Sequence, residues 1–161
     1  MTEALTADQA IRGILAGPAG PHVGAFFDLD GTLVEGYTAN TFFTESIRQR
    51  DIAPGDVARS LFSAVDGKLG GDPTALGRHG AAAMAGREAD TVMEMGERLF
   101  AQKIAAAVRP QARDLVRAHQ RMKHTVAVAS AATRFQIEPL ARDLGIGNIL
   151  CTEVEVVDGV I

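Results

Sequence analysis

The chain alternates short apolar runs with longer stretches in which apolar residues recur every three or four positions. Apolar runs at residues 23–28, 125–130 and 149–151 predict short, buried strands. The stretches between them have helical periodicity, and Gly and Pro residues separate one stretch from the next. Strands that alternate with helices favour an α/β protein with a parallel sheet. We therefore expect an α/β fold whose parallel sheet has about three strands.

Helical patterning dominates the first two thirds of the chain. Residues 6–16 predict a short helix, which Gly17 and Pro18 end. Residues 38–108 show few strand signals, and we interpret them as a helical bundle inserted after the first strand. The four helices of this insert are expected at about residues 39–50, 55–66, 73–86 and 88–107.

The last third predicts the helices and turns that join the later strands. Pro110 suits the first turn of a helix. Thr133 and Gln136 have the spacing of a capping box, and Gly145 suits the residue that ends a helix. The pair Asp158-Gly159 lies between apolar pairs and predicts the turn of a β-hairpin at the end of the chain.

Composition narrows the classes of function. The 161 residues are 47% hydrophobic and 22% charged, which is typical of a globular protein with a modest core. The formal net charge of −4 disfavours a nucleic-acid partner. No apolar run reaches the ~20 residues of a transmembrane helix. Cys151 is the single cysteine, which excludes an internal disulfide and favours a reducing cytoplasm.

The strongest chemical signal is the segment FFDLDGTL at residues 26–33. A predicted strand runs directly into Asp28 and Asp30, and Gly31 permits a tight turn. Two carboxylates at the carboxyl end of a buried strand are costly to place unless they bind a cation or carry out chemistry. The alternative is a pair of solvated turn aspartates. The preceding strand and the following Gly-Thr pair disfavour that alternative.

This segment resembles the first motif, DxDGT, of the haloacid dehalogenase superfamily of phosphotransfer hydrolases. The resemblance implies that Asp28 is the nucleophile, which attacks phosphorus to form an aspartyl-phosphate. It implies that Asp30 protonates the leaving oxygen and then activates water. Mg²⁺ would bind the Asp28 carboxylate and the backbone carbonyl of Asp30, because a hard cation prefers oxygen ligands. The implied activity is Mg²⁺-dependent hydrolysis of a small phosphorylated metabolite, a phosphomonoester.

Ser130 resembles the second motif of the same superfamily, an apolar strand that ends in Ser or Thr. The resemblance implies that its hydroxyl is catalytic and binds a transferring phosphoryl oxygen, whereas a serine at a strand end is by itself more often a helix cap. Asp28 and Ser130 would meet in the crevice at the carboxyl ends of parallel strands. The further substrate contacts that the resemblance implies are Gly31, Thr32 and Ala131.

The stretch VASAATRFQIEPLARDLGI at residues 128–146 resembles the branch of the superfamily that includes phosphoserine phosphatase, and the resemblance covers about residues 22–161. Some bacterial members of this branch are fused to a glycerolipid acyltransferase, so a downstream acyltransferase domain is a possible partner. The resemblance implies a three-layer, Rossmann-like fold in which the helical insert is a cap over the active site, although a decoration without a gating role is the alternative. The expected parts are an N-terminal helix and linker at 1–22, a partial core at 23–37 and 109–161, and a cap at 38–108.

Two departures from the family pattern bear on function. Phosphoserine phosphatases carry a glutamate, associated with the amino group of the substrate, where this chain has Tyr37, so phosphoserine is disfavoured. The family also needs a lysine and an acidic pair on later segments, and no residue here matches them by position. We therefore expect the N-terminal part of a longer protein, with little turnover by itself and an exposed edge at the first strand. The alternatives are an inactive truncated remnant and an accessory domain of a larger phospholipid-synthesis acyltransferase.

Other polar residues have ordinary structural explanations. His119 falls on the apolar stripe of its helix, so a partly buried and hydrogen-bonded histidine is expected rather than a catalyst. A basic helix face is predicted, which favours a solvated surface over nucleic-acid or lipid binding, and its residues are Arg113, Arg117, Arg121 and Lys123. Cys151 is expected to be a small core residue.

Overall fold

The protein is represented by a computed structural model that describes residues 4–48 and 84–161. Its strands form one parallel sheet in the order β1-β2-β3. The strands are β1 at Gly24–Phe27, β2 at Thr125–Thr133 and β3 at Asn148–Thr152. The predicted α/β architecture with a parallel sheet of about three strands is therefore confirmed.

Helices precede and join these strands in the described part of the chain. They are α1 at Ala7–Ala16, α2 at Thr38–Arg48, α3 at Ala89–Leu99, α4 at Pro110–Arg121 and α5 at Arg134–Leu144. A π-helical turn at Phe100–Ile104 and a short turn at Ala105–Ala107 continue α3, so the helix predicted at 88–107 is confirmed. The helices predicted at 55–66 and 73–86 lie wholly or mostly outside the described residues, and the four-helix cap stays a prediction. No helix in the described ranges is both long and apolar enough to cross a membrane.

One face of the sheet packs against helices. Ala25 pairs with Val126 in parallel register, and Val128 lies two residues further along the same face. These side chains are buried in the core, together with Val116 of α4 and Leu140 of α5. Because α4 and α5 are the two crossover helices between successive strands, they cover the same face of the sheet.

The opposite face carries exposed apolar side chains. Phe26 of β1 and Leu150 of β3 are 67% and 56% exposed. Within the sheet that the described residues form, β1 is an edge strand, as the sequence predicted. A third layer, which would cover this face, stays a prediction.

The predicted capping residues set the ends of the later helices. Pro110 is the first residue of α4. The Oε1 atom of Gln136 accepts hydrogen bonds from the backbone N–H of Thr133 at 2.8 Å and from its hydroxyl at 3.0 Å. Gly145 ends α5 with φ of 68°, a left-handed conformation that glycine adopts without a steric penalty. These local predictions are confirmed.

Helix α3 lies directly against α5 because Gly96 has no side chain. A Cβ atom at Gly96 would overlap the backbone carbonyl oxygen of Phe135 and would lie 3.6 Å from Cζ of Phe42. An ion pair between Arg142 and Glu97, at 2.7 Å, joins the same two helices. Helix α3 is thus packed closely onto the helix that follows Ser130.

One predicted strand boundary was wrong. The second strand was expected to end at Ser130, and β2 instead continues to Thr133. A register shift between Ala129 and Thr133 lets the strand resume pairing after an irregular segment, so that Thr133 pairs with Thr152 of β3. Apolar patterning does not reveal this extension, because the pairing depends on a distant strand.

The predicted hairpin turn is present at the end of the chain. Val157 and Val160 exchange backbone hydrogen bonds of 2.8 and 2.9 Å, and Asp158 and Gly159 both have positive φ. This arrangement is typical of a two-residue turn in a β-hairpin. Ile161 then donates its N–H to the carbonyl of Arg87 at 3.0 Å, which ties the turn to the segment before α3.

Candidate active site

Asp28 lies at the carboxyl end of β1 with its side chain exposed. The residues around it are anchored, since Leu29 and Leu33 are both 0% exposed. The backbone carbonyl of Asp28 accepts the N–H of Leu33 at 3.2 Å. The fold therefore fixes the backbone of Asp28 while its carboxylate stays accessible, as a nucleophile or metal ligand requires.

The turn after Asp30 is closed by backbone hydrogen bonds. Gly31 has φ of 75°, which favours glycine at this position, and its N–H donates to Gly36 at 3.0 Å. Glu35 donates its N–H to the carbonyl of Ala107 at 2.8 Å. The turn that carries the two aspartates is thus joined to the segment that leads into α4.

Asp30 is held at the start of α2. Its Oδ1 atom accepts the backbone N–H of Thr38 at 2.7 Å, and Thr38 is the first residue of that helix. The first N–H groups of a helix lack partners within the helix and form its positive end, so they favour a carboxylate there. This contact orients Asp30, as proton transfer at a defined position requires.

Ser130 lies close to the end of β1. Phe27 pairs with Val128, so Asp28 and Ser130 both follow the last β1–β2 pair by no more than two residues. The hydroxyl oxygen of Ser130 accepts the N–H of Ala132 at 3.3 Å. Since the strands are parallel, the structure brings the predicted Asp28 and Ser130 to one edge of the sheet.

A hydrogen bond from β3 holds the irregular segment that contains Ser130. The hydroxyl of Thr152 donates to the carbonyl of Ala131 at 2.8 Å. Bulged strand segments of this kind re-aim side chains and are common beside active sites. Sequence reasoning missed Thr152, because no local pattern links it to Ala131, 21 positions earlier.

The predicted substrate contacts Gly31, Thr32 and Ala131 are all exposed, so a ligand can reach them. Tyr37 is 68% exposed and directly precedes Thr38, whose N–H binds Asp30. Their roles stay predictions. Sequence reasoning also missed Thr38, although threonine near the start of a helix is a typical capping signal.

A bidentate, solvent-exposed ion pair lies beside this edge of the sheet. Nε of Arg134 donates to Glu153 at 3.2 Å, and a second guanidinium nitrogen contacts the other carboxylate oxygen. The hydrogen bond from Arg134 lowers the pKa of the Glu153 carboxyl.

Burial, followed by the contact with Glu153, raises the pKa of the Cys151 thiol, which makes it less reactive. Cys151 packs against the core, as predicted.

His119 is partly buried and hydrogen-bonded, as predicted. Its Nδ1 atom lies 2.8 Å from Nδ1 of His124, and Nε2 of His124 lies 2.8 Å from the carbonyl oxygen of Pro18. A carbonyl only accepts, so His124 carries its proton on Nε2 and accepts from His119 when both rings are neutral. Burial, followed by repulsion from His124, lowers the pKa of His119. The pair precedes β2, away from the carboxyl ends of the strands.

The oxygen donors near Asp28 fit Mg²⁺. Asp28 offers an exposed carboxylate, and Asp30 offers its backbone carbonyl. Mg²⁺ is usually bound by one or two carboxylates, with water and phosphate oxygens completing its coordination. Within residues 4–48 and 84–161, no group of three or more His, Cys, Asp or Glu side chains could hold a metal ion. These two aspartates would therefore share the ion with water, substrate or other ligands.

Comparison with known proteins identifies the relatives of this chain. The model of the haloacid dehalogenase-like hydrolase family matches residues 25–161. Phosphoserine phosphatase SerB2 of Mycobacterium tuberculosis is 32% identical over 135 residues, which are 84% of this chain and 30% of that protein. Putative hydrolase ML2424 of Mycobacterium leprae is 28% identical over 141 residues, covering 84% of this chain and 47% of that protein. The chain thus spans less than half the length of either relative.

A solved structure shares the fold. A Bordetella pertussis protein of unknown function matches with a TM-score of 0.73 and 22% sequence identity. The match covers 86% of this chain and 63% of that one. At this identity the likeness concerns the fold alone, and it agrees with the α/β architecture described above.

Proposed function

Because the chain belongs to the haloacid dehalogenase-like hydrolase family, we propose that the complete protein is a Mg²⁺-dependent phosphomonoester hydrolase. One observation carries the proposal. Asp28 directly follows β1 and exposes its carboxylate. Asp30, two residues later, accepts the backbone N–H of Thr38 at the N-terminus of α2, with 2.7 Å between the nitrogen and Oδ1. A nucleophile and a positioned proton donor are thus offered by one turn.

The proposed reaction has two displacements at phosphorus. Asp28 attacks the phosphorus atom, the bond to the ester oxygen breaks, and Asp30 gives that oxygen its proton. Asp30 then takes a proton from water, whose oxygen attacks the aspartyl-phosphate, so that phosphate leaves and the Asp28 carboxylate is restored. Ser130 would donate a hydrogen bond to a phosphoryl oxygen, and bound Mg²⁺ would neutralise phosphoryl charge.

We propose that the substrate is a small phosphorylated metabolite other than phosphoserine. The similarity to a phosphoserine phosphatase supports a small phosphomonoester. Tyr37, which is 68% exposed, provides no carboxylate to pair with a substrate ammonium group. Phosphomonoesters without an amino group should therefore be hydrolysed faster than phosphoserine, and the opposite order would refute this choice of substrate alone.

The unpaired Cys151 supports a cytoplasmic location.

Hydrolysis of p-nitrophenyl phosphate by the complete protein tests the reaction class. We expect a Mg²⁺-dependent rate that falls at least about a hundredfold in Asp28→Asn, because an amide is not a nucleophile of this kind. Asp114→Asn is a matched control, since Asp114 lies on α4, is exposed and has Arg117 as an ion-pair partner at 3.8 Å. Retained activity in Asp28→Asn, or equal losses in both variants, would contradict the proposal.

A further inference from the structure

Thr38 holds a buried hydroxyl without a hydrogen-bond partner. The residue is 3% exposed, and its Oγ1 is the one buried side-chain polar atom without a partner among the described residues. Burial deprives a hydroxyl of its hydrogen bonds to water, so an unpaired one destabilises the resting protein. Such groups are rare in native structures and require an explanation.

The usual partner of a helical threonine, the carbonyl four residues back, is not available within the helix to Thr38, the first residue of α2. Thr44, on the same helix, donates its hydroxyl to the carbonyl of Asn40 at 2.7 Å, four residues back. Thr38 makes no such bond, and it lies instead beside Asp30, which its own backbone N–H contacts at 2.7 Å. Three covalent bonds separate that nitrogen from Oγ1, so rotation about χ1 changes the distance between the hydroxyl and the carboxylate bound at the N–H. Threonine in helices populates two such rotamers.

We infer that Thr38 is a positioning residue for Asp30, an inference that rests on the proposed phosphatase function. The backbone N–H holds one carboxylate oxygen in the resting protein. The hydroxyl provides a second hydrogen bond to the same carboxylate when Asp30 turns towards bound substrate. Two donors from one residue fix the plane of a carboxylate better than one donor does, and bonds to a charged acceptor are strong. A hydrogen bond that forms only during the reaction raises kcat, at the expense of the resting fold.

The test compares Thr38→Val, which keeps the shape and the backbone N–H, with Thr38→Ser, which keeps the hydroxyl. Thr44→Val is the matched control on the same helix. In the complete protein, Thr38→Val should unfold at the wild-type urea concentration or a higher one, because an unpaired hydroxyl is removed. Its kcat for p-nitrophenyl phosphate with Mg²⁺ should fall about tenfold to about a hundredfold, the equivalent of one hydrogen bond to a charged group.

The controls separate a positioning role from a structural one. The KM of Thr38→Val should change less than about threefold, since the lost bond forms only along the reaction. Thr38→Ser and Thr44→Val should keep kcat within about threefold of wild type. Wild-type kcat in Thr38→Val, an equal loss in Thr38→Ser, or an earlier unfolding transition in Thr38→Val would each overturn the inference. A wild-type protein without Mg²⁺-dependent hydrolysis would instead refute the proposed function, and this inference would fall with it.

Discussion

Replacement of Gly96 by alanine should loosen the contact between α3 and α5. The added Cβ would overlap the backbone carbonyl oxygen of Phe135, and Cζ of Phe42 would lie 3.6 Å away. A backbone carbonyl cannot rotate out of the way as the end of a side chain can. The helices must therefore move apart, and the buried side chains between them lose contacts.

The expected loss follows from two opposing terms. Overpacking a close contact costs about 1 to 3 kcal/mol, and a rigid backbone neighbour favours the upper end. Alanine in a helix gains about 1 kcal/mol over glycine. The net destabilisation should be about 2 kcal/mol, which lowers the melting temperature by about 4 to 8 °C for a protein of this size.

Thermal unfolding of two glycine variants measures this effect. Gly13 lies in α1, and a Cβ there would meet nothing within 4 Å. Gly13→Ala should therefore keep the full helix-propensity gain and raise the melting temperature. A Gly96→Ala protein that is as stable as Gly13→Ala would refute the packing described for α3 and α5.

Two further predictions concern β3 and the histidine pair. Thr152→Val removes the hydrogen bond to the carbonyl of Ala131, so it should lower the free energy of unfolding by about 1 kcal/mol and also lower kcat. Thr152→Ser keeps the hydroxyl and should therefore keep the wild-type stability and kcat. Unchanged kcat in Thr152→Val would argue against a role for this bond in positioning Ser130. The pKa of His119 in the folded protein lies below its unfolded value of about 6.5. Between these two pKa values the unfolded chain binds more protons than the folded protein. The free energy of unfolding should therefore fall as the pH drops from about 6.5 to the folded pKa. The variant His119→Phe should show a smaller decline in its urea midpoint between about pH 7.5 and about pH 5.5, and an equal decline would contradict this assignment.

Local signals in the sequence predicted much of this fold. Apolar runs located the three strands that the described residues form, and capping residues such as Thr133 and Gly145 located helix ends, because their structural effects act within one or two turns. The spacing of Asp28 and Asp30 after an apolar run located the candidate site. Each of these features depends on near neighbours along the chain.

Contacts between distant segments were not predictable from those patterns. The extension of β2 beyond Ser130 depends on pairing with β3, and the bond between Thr152 and Ala131 spans the same two strands. The bond from Thr38 to Asp30 depends on how the turn after β1 closes. The four-helix cap and a downstream acyltransferase domain stay predictions.

The most direct test of the account is to trap the covalent intermediate. The complete protein, mixed with a phosphomonoester and Mg²⁺ and quenched in acid, should gain the mass of one phosphoryl group. Peptide mapping should locate that group on Asp28, and Asp28→Asn should not acquire it. A protein that turns over substrate without phosphorylation of Asp28, or that carries the phosphoryl group on another residue, would contradict the account.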